Sequence, residues 1–159
     1  MSYKKILLPT DGSEIGSAAA LAGIRFAAEQ GAEAIGLFVA PPYEYATSDN
    51  LPDDVPTEEE YEASMRRKGK SYFAHLHDTA AGSGLKFTAV VTFAKSTPQA
   101  ILDAAEENRC DLIFMGSHGR GGRNQALLGN VTLRVLTACR MPVLVHRTQA
   151  RQNERATEE

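Results

Sequence analysis

The chain is poor in cysteine, in charge of one sign and in long apolar runs. Its two cysteines, Cys110 and Cys139, form no CxxC pair and have no metal-ligand spacing, which suggests reduced thiols in a cytoplasmic protein. Seventeen Lys and Arg against 20 Asp and Glu leave a net charge of −3, so there is no general electrostatic footprint for nucleic acid. The local pair Arg120 and Arg123 suits either a solvated loop or a phosphate-facing one. No segment approaches membrane-spanning length, and the opening MSYKKILLP has too short an apolar run for a signal peptide. G-x-S-x-G and HExxH are both missing, so no nucleophile-base constellation is legible. Internal repeats and interdomain linkers are missing too.

What is present is a core. With 43% hydrophobic residues in 159, the chain reads as one domain, residues 1–147, followed by a polar tail, 148–159, expected to be disordered. Five apolar runs predict strands: Lys5 to Pro9, Ala34 to Ala40, Phe87 to Phe93, Leu112 to Met115 and Val143 to Val145. Most are continuous rather than alternating, as in strands covered on both faces. Helical periodicity fills the gaps between them. Ile15, Ala18, Ala19, Ala22 and Phe26 fall on one face of a helix that Gly31 ends. Tyr61, Met65, Tyr72, Leu76 and Ala80 line a long helix opening in Glu58 to Glu60. Ile101, Ala104 and Ala105 follow Pro98, and Val131, Val135 and Ala138 line the last helix. Strands alternating with helices predict an α/β fold with a doubly wound parallel sheet and helices on both faces. Pro41 to Thr57, with four prolines, reads as a long loop of the kind that serves as a lid or partner surface.

The segment from Asp111 to Arg147 carries the most information. A strand runs into a glycine-rich loop, which feeds a helix and then a last strand. Gly116, Gly119 and Gly129 have the spacing G-x2-G-x9-G. Glycine lets backbone N–H groups approach a ligand, and a helix N-terminus adds unpaired donors and a positive dipole end. Both suit phosphate. The pattern is not Walker A, because no Lys-Ser/Thr pair follows the glycines.

This pattern resembles the ATP-binding subgroup of the universal stress protein family, whose motif is G-x2-G-x9-G-(S/T). The opening ILLPTDGSE resembles the family's first strand and turn, and LLGNVTLRV followed by MPVLV its last helix and strand. Asn130 departs from the motif's Ser or Thr. The resemblance implies a five-stranded sheet of order 3-2-1-4-5, with the first and fourth strands side by side at a switch point where ligands sit. It implies ATP, with Mg as its companion, bound by Pro9, Thr10, Asp11, Val39, Met115, Gly116, His118, Gly119, Arg120, Gly129, Asn130, Val131 and Thr132. The matching Asp contacts the nucleoside, and the matching valine meets adenine through its backbone. The resemblance also implies a homodimer through the last strand, in a regulatory module of the stress response.

Each of these residues also has a purely structural role open to it. Asp11 can cap the first helix with Glu14 as partner, or Ser13 can cap instead. The glycines can simply make turns. His118 fits a phosphate or a solvated loop. Asn130 can cap the last helix but lacks the motif hydroxyl, and Thr132 supplies a hydroxyl two residues later. His75 and His77 fall on different helix faces and make no metal pair, and His146 is expected at the surface. The SGGxDS-type loop of related ATP-pyrophosphatases is missing, and no dedicated base or arginine finger is evident, so any ATP hydrolysis is expected to be slow. The alternative function is a dimeric interaction protein of the same fold that binds no nucleotide.

Overall fold

The computed structural model describes residues 2–44, 54–118 and 128–147. In chain order these form β1 (Lys5–Pro9), α1 (Glu14–Gln30), β2 (Glu33–Ala40), α2 (Glu58–Gly82), β3 (Phe87–Phe93), α3 (Thr97–Glu107), β4 (Leu112–Gly116), α4 (Asn130–Ala138) and β5 (Val143–His146). The strands make one parallel sheet of order β3-β2-β1-β4-β5. The architecture and order expected from the sequence are found, with β2, β4 and β5 each one residue longer than the apolar runs.

The continuous apolar runs reflect two cores, one on each face of the sheet. Successive side chains alternate between faces. Ile6 and Leu8 of β1, Phe38 of β2 and Phe114 of β4 join the α1–α2 side, where Phe73 is fully buried. Leu7, Leu37, Ile113 and Met115 join the α3–α4 side with Ile101 and Val135. Burying a side chain such as Phe73 contributes on the order of 2–3 kcal/mol.

Two helix faces differ from the expected ones. In α1 the buried stripe is Gly16, Ala19, Ala20, Gly23, Ile24 and Ala27, so of the expected face only Ala19 is buried. The cause is close approach. A Cβ on Gly23 would run into the Leu8 side chain and stand 3.0 Å from the Phe114 ring, so the glycine edge faces the sheet and bulkier residues are turned aside. In α4, Val135 is buried, but Ala138 is exposed and Thr132 takes the inward position. The long helix and α3 keep most of their expected inward residues, and α2 adds Gly69 and Phe73.

Side chains fix the ends of the elements. Ser13, Thr57 and Ser96 cap α1, α2 and α3, and Thr57 and Glu60 form a full capping box. The Asp111 carboxylate accepts the Lys4 and Lys5 N–H groups at 2.9 and 3.0 Å, which aligns the start of β1 with the start of β4. Tyr43 donates to the Pro56 carbonyl and Tyr61 to the Pro41 carbonyl, each at 2.6 Å, which staples the two ends of the segment between β2 and α2. The middle of that segment and the expected tail lie outside the described residues.

Candidate functional site

The site follows from the sheet order. β1 and β4 are parallel neighbours, paired Ile6 to Leu112 and Leu7 to Ile113. That register carried onward sets Pro9 level with Met115 and Thr10 level with Gly116. The chain leaves β1 into α1 on one face and leaves β4 toward α4 on the other. A crevice therefore opens beyond the two C-terminal ends, as at a topological switch point.

On the β1 side, Thr10 is buried, its N–H donates to the Leu37 carbonyl at 2.9 Å, and its Oγ1 accepts from Gly12 N–H at 3.2 Å. Gly12 has φ of +76°, and a Cβ there would enter the Tyr72 ring, so the turn requires glycine. Asp11 Oδ1 accepts from the Ser13 N–H at 3.0 Å and from its hydroxyl at 2.6 Å, and Ser13 Oγ accepts from Gly16 N–H at 3.0 Å. The cap is thus Ser13 rather than an Asp11–Glu14 box, and Asp11 holds its charge at the positive end of α1.

Val39 lies at the same end. Within a strand the N–H and C=O of one residue point to the same side, and alternate residues point oppositely. The Leu37 carbonyl points to β1, where it meets Thr10 N–H. Val39, two residues on, turns its backbone groups the same way, but β1 has already ended at Pro9. Its side chain is half-buried in the α3–α4 core, and its backbone faces the crevice mouth without a strand partner.

On the β4 side, Met115 is buried in the core and Gly116 ends the strand. Ser117, not singled out from sequence, is the organiser of this end. It is buried, its N–H donates to the His146 carbonyl at 3.0 Å, and its carbonyl accepts Gly129 N–H at 2.7 Å. That last bond brings the start of α4 against the end of β4. A Cβ on Gly129 would stand 3.1 Å from the Ser117 carbonyl oxygen and 3.3 Å from His118 Cα, so this glycine permits a close backbone approach. His118 Nδ1 lies 3.1 Å from Ser117 Oγ. Gly119 and Arg120 lie outside the described residues.

The start of α4 corrects one expectation. Its N-cap is Gly129, not Asn130, and no side chain caps it. Asn130 is the exposed first residue of the helix, because the Gly129–Ser117 bond fixes the cap position one residue earlier. The first intrahelical bond runs from Leu133 N–H to Gly129 C=O. The N–H groups of Asn130, Val131 and Thr132 precede it and lack an intrahelical acceptor. Val131 is half-buried against the α3–α4 core. Thr132 is 3% exposed, and its hydroxyl donates to the Gly116 carbonyl at 2.8 Å. Its single proton is therefore used inside the protein, and the hydroxyl ties α4 to the end of β4.

His146 also departs from expectation. It is half-buried and stacks on Phe114 with ring centroids 5.8 Å apart, because β5 extends through it. His75 and His77 are both exposed, and His77 packs edge-on against Phe87. Among the described residues no three His, Cys, Asp or Glu side chains cluster as a metal site, and no helix is long and apolar enough to cross a membrane.

Known proteins match both the sequence and this architecture. The chain is 31% identical over 147 residues to universal stress protein MJ0531 of Methanocaldococcus jannaschii, covering 90% of this chain and 81% of that protein. The solved structure of MJ0577, described as a test case of structural genomics, superposes with a TM-score of 0.77 at 28% identity, over 94% of this chain and 99% of that one. A universal stress protein solved in complex with cAMP shares the fold, with a TM-score of 0.67 at 20% identity, over 94% of this chain and 100% of that one. A sequence model of the universal stress protein family matches residues 2–147, so the chain belongs to that family.

Proposed function

We propose that this protein is a regulatory module of the cytoplasmic stress response that binds an adenine nucleotide, ATP with magnesium, in the crevice between β1 and β4. The observation that carries this is the N-terminus of α4. Three N–H groups and the positive dipole end stand together, with no capping side chain, behind the close approach of Gly129 to Ser117. Such an end suits phosphate. The N–H groups of Asn130, Val131 and Thr132, with Gly119, hold phosphates. Asp11 faces the nucleoside, and the outward backbone of Val39 meets the adenine edge. Thr132 acts by position, through its bond to Gly116. The magnesium ion is carried by the phosphates. The cAMP complex of a protein of the same fold supports an adenine ligand. ATP acts here as an effector rather than a rapidly hydrolysed substrate.

The test is to denature the purified protein, chromatograph the supernatant for adenine nucleotide, and measure melting with about millimolar Mg-ATP. Released nucleotide or a raised melting temperature supports binding, since a ligand bound only by the folded state stabilises it. The loss of both outcomes favours the second reading, a dimeric interaction protein that binds no nucleotide. That reading draws on two local facts: the Thr132 proton already serves Gly116, and Asp11 already accepts from Ser13.

The module in this proposal is a homodimer through β5. This strand is the terminal one in the sheet. Ile113 N–H donates to Pro142 C=O and Ser117 N–H to His146 C=O, so Val143 and Val145 turn their N–H and C=O groups to the open edge. The large exposed apolar side chains among the described residues, Leu133 and Leu136, lie on α4, the helix leading into this strand. An apolar open edge favours pairing with a second copy.

A further inference from the structure

The opposite edge of the sheet differs in kind. β3 is terminal on that side, and its bonds fix which groups are free. Ala34 N–H donates to the Lys86 carbonyl and Ala94 N–H to the Ala40 carbonyl, so even-numbered residues face β2. Phe87, Ala89, Val91 and Phe93 therefore point their N–H and C=O groups outward, four donor–acceptor pairs along one edge.

This edge runs between a basic stripe of α2 and an acidic face of α3. On the α2 side, the Arg66 guanidinium stands 5.3 Å from the Phe93 ring centroid, and His77 packs 4.7 Å from the Phe87 ring centroid. Exposed Lys70 lies between them on the same helical stripe. Glu59 and Glu62 stand two turns and one turn before Arg66 on the same helix. On the α3 side a groove of about 290 Å³ runs beside Thr92 and Phe93, walled by Gln99, Asp103 and Glu107. Gln99 donates to Asp103 at 2.8 Å, which holds the wall in place. Asp103 and Glu107 are exposed and one turn apart.

We infer that the β3 edge accepts an extended segment of a partner protein as an added strand, with basic residues on the side facing α3 and acidic residues on the side facing α2. The two-residue period of a strand sends alternate side chains to the two faces, so an alternating basic and acidic pattern satisfies both helices at once. A second copy of this chain does not fit. A two-fold axis normal to the sheet would pair β3 with β3 antiparallel and bring the basic stripe of α2 against its own copy, and the acidic face of α3 against its own. Like charges in that position disfavour self-pairing. The two edges thus have separate roles, with β5 for a second copy and β3 for a different chain.

The test uses two fluorescent peptides of about eight residues, the length of an ordinary strand. One alternates lysine and glutamate, and the other carries the same residues as a lysine block followed by a glutamate block. Net charge is equal, so only the pattern differs. The alternating peptide is expected to bind the full chain at least about five-fold more tightly, and Asp103→Lys with Glu107→Lys is expected to remove that preference. Ala89→Pro deletes one outward N–H while leaving the β2 ladder intact, and it should weaken the alternating peptide with circular dichroism unchanged. The charge-reversal variant alters exposed residues only and keeps the test valid if the proline disturbs folding. Equal binding of the two peptides, binding of neither at millimolar concentration, or affinity unmoved by the charge reversal would overturn the inference.

Discussion

The Thr132 hydroxyl donates to the Gly116 carbonyl across 2.8 Å, joining the first turn of α4 to the last residue of β4. Thr132 is buried, with 3% of its surface exposed. Thr132→Val keeps the shape and leaves the Gly116 carbonyl unpaired, at a cost of about 1–3 kcal/mol. Thr132→Ser retains the bond and should recover most of that loss. Urea unfolding of the three proteins checks the order, and nucleotide affinity should follow it because the bond positions the α4 N–H groups.

Gly129→Val should affect both fold and binding. Its Cβ would stand 3.1 Å from the Ser117 carbonyl oxygen and 3.3 Å from His118 Cα, so the backbone at Ser117 and His118 must give way, and the branched valine side chain adds to the crowding. A stability loss of about 1–3 kcal/mol, typical of overpacking, is expected together with loss of nucleotide binding. Asn130→Ser acts in the other direction. Asn130 is exposed at the first helical position, and the smaller hydroxyl should strengthen ATP binding several-fold, on the order of 1 kcal/mol. Calorimetric titration of each variant reads the difference.

Cys110 sets a pH limit on stability. Burial pushes its thiol from 9.0 up to about 11, with Lys5 opposing and Asp111 reinforcing the shift. The folded state therefore holds this proton where the unfolded state has lost it, and stability falls as pH rises from about 9 to about 11. Near pH 10 the loss from this group is about 1–1.5 kcal/mol. Urea unfolding at neutral pH and near pH 10 should show a steeper decline in the native protein than in Cys110→Ala. Equal declines would remove Cys110 as the cause.

Val145→Pro tests the dimer. Val145 directs its N–H to the open edge of β5, so proline there spares the bonds to β4. Light scattering at micromolar concentration should give a dimer for the native chain and a monomer for the variant. A native monomer contradicts the dimer.

The inner strands were legible because each lies between two apolar layers, so Ile6, Leu7 and Leu8 are all buried whichever way they point. The strand order came from the family resemblance. The α1 face was not legible, because EIGSAAALAGIRFAAEQ is small or apolar nearly all round and periodicity favours large residues, whereas Gly16 and Gly23 make the closest contacts. The role of Thr132 had a readable signal. It stands three residues before Val135, on the face already assigned to the core, so its hydroxyl was bound to turn inward. Ser117 had no such signal. Its importance lies in backbone bonds to His146 and Gly129, which side-chain chemistry does not reveal. Asn130 was misjudged as a cap for the same reason: a backbone bond, not a side chain, sets where α4 begins.

Calorimetric titration of nucleotide-free protein with Mg-ATP, beside Gly129→Val and Asp11→Ala, tests the nucleotide site most directly. Saturable binding with one site per chain, lost in Gly129→Val and weakened in Asp11→Ala, is the predicted result. No heat at millimolar ATP from a folded native chain, or equal binding by Gly129→Val, would contradict a nucleotide site at the crevice between β1 and β4.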